Sequence, residues 1–200
     1  MKHSVKLVKD LKSILTWLEY PVRNGIELYT GRPEKLTGLL PRELLGNWLV
    51  CIVANYKNKD GDYTISSDPT GGDGIIFNRK TARGYKTEHV MVPVEKRGVS
   101  NTETLIIESI EKKKNKGVPY ASGQILIIFL EAGGKWFPSK VAKLLKLKEP
   151  LLFESVWLFG LDDPIQDEYI YNVVELDSNT FQVWKVVISK KFDSWQVIKI

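Results

Sequence analysis

Residues 41–56, PRELLGNWLVCIVANY, read as a helix that is apolar on nearly every side. Pro41 suits a first helical turn. Leu44, Leu45, Trp48, Leu49, Cys51, Ile52 and Val53 then leave almost no face for water. A helix of this kind must be covered from several directions, so the chain needs a layered fold around it. Glu43 and Asn47, four residues apart, form a polar stripe near its start.

The hydrophobic period changes after this helix. KNKDGD is a turn, YTISS a short strand, DPTGGDG a turn-rich segment leading into the strand GIIFN, RKTARG a loop, and YKTEHVMVPV a third strand. Short links between successive strands predict an antiparallel meander. Helix period returns over 102–116, ending in KKKNKG with Gly117 as the stop. QILIIFLE is a continuous apolar run of strand length, as a strand buried on both faces requires. PSKVAKLLKLK is a short basic helix, and FESVWLFGL, YIYNVVEL, TFQVWKVVI and SWQVIKI are further strands. Upstream, Val5, Val8, Leu11, Leu15 and Leu18 predict an amphipathic helix over 4–19, with Pro21 just beyond it. Residues 21–39 read as connecting chain. The expected organisation is an N-terminal helix and connecting segment over 1–39, followed by one mixed α/β domain over 40–200.

Composition removes several function classes. Of 200 residues, 43% are hydrophobic and 26% charged, which excludes wholesale disorder. A single cysteine excludes a disulfide framework and multi-thiolate zinc sites, and two histidines (His3 and His89) exclude a His-rich metal centre. No apolar run reaches membrane-spanning length, and MKHSVKLVKDLK has no signal-peptide core, so a cytoplasmic protein without membrane contact is expected. GGDG lacks the Lys-Ser/Thr and helix of a phosphate loop, and no Gly-x-Ser-x-Gly elbow occurs.

The net charge of +5 conceals an uneven distribution. Residues 79–148 hold 15 Lys/Arg against 6 Asp/Glu, while the remainder holds 14 against 18. A basic stretch of this kind suggests an anionic partner, nucleic acid first. Lys112, Lys113, Lys114 and Lys116 read in two ways: phosphate contacts that position nucleic acid, or a solvated helix end that offsets the dipole.

Carboxylates carry the remaining chemistry. Asp73 opens one strand and Glu88 sits inside the next, 14 residues intervening, so both can converge on one face of a hairpin. Such a pair suits a hard divalent cation that takes oxygen ligands and keeps several waters. That ion can activate water beside a phosphodiester. The plain alternative for Glu88 is the solvent face of a half-exposed strand. His89 points to the opposite face and reads as a packed histidine, and Trp48, Trp157, Trp184 and Trp195 read as core.

The helix, the meander bearing Asp and Glu, the next helix and the next buried strand resemble the PD-(D/E)XK nuclease core over about residues 41–132. DPTGGDGII stands for the first motif and TEHVM for the second. The resemblance implies a restriction endonuclease-like αβββαβ core, with a helical N-terminal lead and extra C-terminal strands. It also implies Mg²⁺ or Mn²⁺ held by Asp73 and Glu88, with Glu43 on the first core helix in a matching position. The family usually has a lysine two residues after the second carboxylate, where this chain has Val90. Lys86 projects from the same strand face as Glu88 and can supply the ammonium; Lys112 or Lys113 is a second candidate. The expected function is metal-dependent hydrolysis of DNA by Asp73, Glu88 and Lys86, with a homodimer as the expected assembly. The rival expectation is a catalytically inactive module of the same fold that binds nucleic acid or a protein.

Overall fold

The computed structural model describes residues 8–32, 38–59, 61–92, 101–131, 136–146, 150–162, 168–177 and 180–200. The chain enters as the two-residue strand β1 (Val8–Lys9) and turns into α1 (Leu11–Arg23) at Asp10, whose carboxylate accepts the Ser13 N–H at 2.9 Å. That cap satisfies one of the orphan donors at the helix start. The helix expected over 4–19 therefore begins at residue 11, and Pro21 lies inside its last turns rather than beyond them. His3 and Val5 lie outside the described residues. Residues 21–39, read as connecting chain, contain the end of α1 and a short helix, α2 (Ile26–Thr30).

The helix α3 (Pro41–Lys57) is followed by β2 (Tyr63–Ser66), β3 (Ile75–Asn78) and β4 (Arg83–Val92) in the expected antiparallel meander. Next come α4 (Thr102–Lys114) and a single turn, α5 (Val118–Ala121), which the sequence pattern does not announce. β5 (Gln124–Leu130) lies parallel to β4; after α6 (Pro138–Lys146), β6 (Ser155–Leu161) lies parallel to β5. Parallel neighbours need long crossovers, and the helical segments supply them. β7 (Tyr169–Leu176), β8 (Phe181–Ile188) and β9 (Trp195–Lys199) complete the sheet as antiparallel strands. Spatial order equals chain order from β1 to β9.

The sheet separates two cores, and β5 divides its side chains between them. Ile125, Ile127 and Phe129 join α1, α2 and α3 on one side; Leu126, Ile128 and Leu130 join α4 and α6 on the other. Each such side chain, fully buried, contributes roughly 1.5–3 kcal/mol. Ile14, Leu15 and Leu18 of α1 lie in the same core as α3, and they are completely buried. A Cβ at Gly46 would come within 2.7 Å of Phe159 and 2.9 Å of His89, so glycine lets α3 settle against the sheet. Trp48, Trp157 and Trp184 are buried, with the Trp195 ring edge-on to Trp48 at 5.4 Å. No described helix is long and apolar enough to cross a membrane.

Candidate active site

The segment before β3 is pinned from two elements. Asn47 on α3 donates its side-chain amide to the Asp73 carbonyl at 2.9 Å, and the Thr87 hydroxyl on β4 donates to the same oxygen at 3.1 Å. Gly74 takes a φ of +117°, and a Cβ there would lie 2.7 Å from the Asn47 amide nitrogen. Glycine is the residue that allows both the left-handed backbone and the close approach. With its backbone held, Asp73 turns its carboxylate toward β4, where Oδ2 accepts the His89 N–H at 2.7 Å.

Glu88 precedes His89 and projects to the other side of the sheet, toward α4. Its carboxylate forms an ion pair with Lys113 and lies within electrostatic reach of the Tyr120 hydroxyl. Burial, then the neighbouring Glu88 carboxylate, pushes the Tyr120 hydroxyl up. Glu43 lies in the first turn of α3, where Oε2 accepts the Leu40 N–H at 2.9 Å; Arg42 Nη2 is 4.0 Å from Oε1. An acid at a helix N-terminus is favoured by the dipole, so Glu43 has a local structural role as well.

The three carboxylates feel one another. Burial is the leading cause that raises Asp73, with the Glu88 charge adding to it; the His89 N–H, Lys113 and Arg42 oppose. Burial likewise raises Glu43, opposed first by the Leu40 N–H and then by Arg42, while the Asp73 and Glu88 charges push it further up. Anionic oxygens that disfavour each other in a half-buried place are chemistry that a hard cation relieves. Among the described residues, no group of three or more His, Cys, Asp or Glu forms a ready-made cage. The donor set still fits Mg²⁺, which is commonly held by one or two carboxylates and otherwise by water and substrate phosphate.

Of the residues singled out by sequence, Asp73, Glu88 and Glu43 come within electrostatic reach of one another, and Lys113 joins them. Lys86 does share a face with Glu88, yet its ammonium is held by Asp68 at 3.2 Å and the Thr70 hydroxyl at 2.9 Å. The lysine run is not a uniform solvated end. Lys112 is exposed, Lys114 is buried against Glu111 at 3.0 Å, and Lys116 lies over the Tyr120 ring at 4.3 Å. His89 is buried beside Gly46, as its position on the opposite face implies. Arg42 and Tyr120 were not identified from sequence. Arg42 adjoins Glu43 in the chain, which is a weak signal, whereas nothing local marks Tyr120.

No family model, curated protein or solved structure matches this chain.

Proposed function

We propose that this protein is a metal-dependent nuclease of the PD-(D/E)XK kind that hydrolyses phosphodiester bonds, DNA first. The observation that carries the reading is the approach of Asp73, from the segment before β3, to Glu88 on β4 and Lys113 on α4. The succession α3, β2–β3–β4, α4, β5, with β5 parallel to β4, is the order that an αβββαβ core requires. Asp73 and Glu88 would hold the metal, with Glu43 behind them. When bound, Mg²⁺ supplies a water of lowered pKa and charge to oppose the developing phosphorane. Lys113 takes the positioning role toward that water in place of Val90, because it is the ammonium that reaches Glu88. Lys86, held by Asp68, serves the loop carrying Asp68 and Thr70. Lys112 and Lys116 remain the members of the run exposed enough to meet phosphate.

One observation favours an inactive, nucleic-acid-binding module of the same fold. Glu88 is already paired with Lys113, and a structural ion pair would look the same. A cleavage assay separates the readings. Purified protein with Mg²⁺ or Mn²⁺ is offered plasmid, linear duplex and single-stranded DNA, beside Asp73→Ala. Cleavage by the wild type that vanishes in Asp73→Ala supports the nuclease; DNA binding with no cleavage of any substrate supports the module.

A further inference from the structure

Three clefts at the end of the sheet away from Glu43 share their walls. A cleft of about 410 Å³ beside Arg83, Lys86 and Gln124 shares Tyr85 and Glu154 with one of about 290 Å³ beside Tyr63 and Trp157. That second cleft shares Lys57 with a third of about 700 Å³, beside Tyr56, Lys59 and Lys199. The sheet register explains the continuity. Ile125 pairs with Ser155, Trp157 with Glu175, Glu175 with Gln182, and Trp184 with Lys199 on the α3 side. Lys86, paired with Gln124, projects to the α4 side at the end of the sheet where the first cleft turns the corner. The groove therefore runs across the strands from β4 to β9. Five strand spacings of about 4.8 Å give it a length of roughly 24 Å.

Its lining alternates cations with aromatic rings. The Arg83 guanidinium lies 4.9 Å from the centre of the Tyr85 ring, and Lys57 lies 5.7 Å and 5.4 Å from those of Trp157 and Trp184. Trp157 and Trp184 are buried and form the floor, whereas Tyr56 is 49% exposed and Tyr63 and Tyr85 are half-buried. Lys57 is paired with Glu175, and Lys86 with Asp68. Among the described residues Arg83, Lys59 and Lys199 have no carboxylate partner, and Glu154 is the opposing unpaired carboxylate. The unpaired charge of the groove is thus net positive.

We infer that this groove binds a single strand of nucleic acid and leads it toward Asp73 and Glu88. The choice of ligand rests on the nuclease reading; the shape and charge of the groove do not. Unpaired bases can stack on tyrosine faces while cations follow the backbone, whereas duplex bases stack on one another. The cleft that holds Tyr85 also holds Lys86 and Pro119, so a strand that passes round the end of the sheet there reaches the face of Glu88, two residues and about 7 Å further along β4. At a stacked rise of about 3.4 Å, 24 Å accommodates roughly seven nucleotides, fewer if the strand is stretched.

The test is fluorescence anisotropy in EDTA, so that nothing is cut, with labelled oligo-dT and oligo-rU of about a dozen nucleotides and a duplex of equal length. Oligo-dT should bind at least tenfold more tightly than the duplex. Tyr85→Ala should weaken single-strand binding about tenfold with the salt slope unchanged. Lys59→Ala with Lys199→Ala should weaken it and reduce the slope by about 0.7 for each phosphate that is no longer neutralised. Glu154→Gln should tighten binding, a gain that misfolding cannot produce. Oligo-rU binding more tightly than oligo-dT supports the same groove and makes RNA its strand. Duplex binding as tight as oligo-dT, or Tyr85→Ala and Glu154→Gln both behaving as wild type, overturns the inference. Should the groove variants act as stated while Mg²⁺-dependent cleavage is absent, the nuclease reading falls and the groove stands. Should Asp73-dependent cleavage occur while those variants leave binding unchanged, the groove falls and the nuclease stands.

Discussion

Lys113 on α4 pairs with Glu88 on β4 across 25 residues of sequence, where the next-but-one residue of the same strand is Val90. The helix that crosses between β4 and β5 lies on the face to which Glu88 projects, so an ammonium can arrive there from the helix. Lys113→Ala should slow cleavage by on the order of 10²–10³, the usual cost of one positioned electrostatic group. Lys86→Ala should cost less than about tenfold by the same measure, since that ammonium is committed to Asp68. Single-turnover rates on one labelled strand check both; equal losses would remove the distinction. Stability should also fall in Lys113→Ala, by roughly 1–3 kcal/mol, because the Glu88 carboxylate is only 19% exposed and loses its cation there.

Gly74 should not tolerate a side chain. Its φ of +117° is strained for any L residue with a Cβ, and the Asn47 amide occupies the space. Gly74→Ala should cost about 1–3 kcal/mol, read by urea denaturation. It should also lower activity, because the Asp73 backbone is held by that same amide. A variant as stable as the wild type would show that the turn is not constrained.

Acid should destabilise the protein through His89. Burial, then the charges of Arg42 and Lys113, hold its pKa down at about 3, and its Nε2 has no hydrogen-bond partner among the described residues. The unfolded chain takes up a proton near 6.5 that the native chain refuses, so stability falls as pH drops from 6.5 toward 3. At about 1.36 kcal/mol per unit, the loss by about pH 5 is on the order of 2 kcal/mol. Asp73 and Glu43 act in the opposite sense. Their raised values mean that the native chain keeps protons above the ordinary carboxylate range that the unfolded chain releases, so their contribution falls as pH rises past that range. Denaturation midpoints of wild type and His89→Gln between about pH 7 and pH 5 test the larger effect. The variant should lose much less stability over that range, and parallel curves would contradict the assignment.

Elements with a strong period were legible in the sequence. α3 reads as buried all round because it lies between the sheet and α1, and β5 reads as an unbroken apolar run because it serves both cores. The start of α1 was not legible by period alone. Leu11 continues the spacing of Val5 and Val8, and only the Asp10 cap marks where the helix begins. At the site, alternation correctly placed Lys86 and Glu88 on one face of β4, but it says nothing about where a long flexible side chain ends. Asp68, 18 residues upstream, captures Lys86 because the loop before β3 folds back beside β4. Lys113 and Tyr120 come to Glu88 only through the crossover that makes β5 parallel to β4, a relationship no local pattern carries.

A nuclease of this kind needs Asp73 and Glu88 to hold one divalent cation. The direct measurement is a titration of the protein with Mn²⁺, following the free ion by electron paramagnetic resonance, for the wild type, Asp73→Ala and Glu88→Gln. Saturable binding of one Mn²⁺ by the wild type, displaced by Mg²⁺ and lost or greatly weakened in both variants, is the result predicted. Binding that is absent in the wild type, or identical in all three proteins, would contradict it.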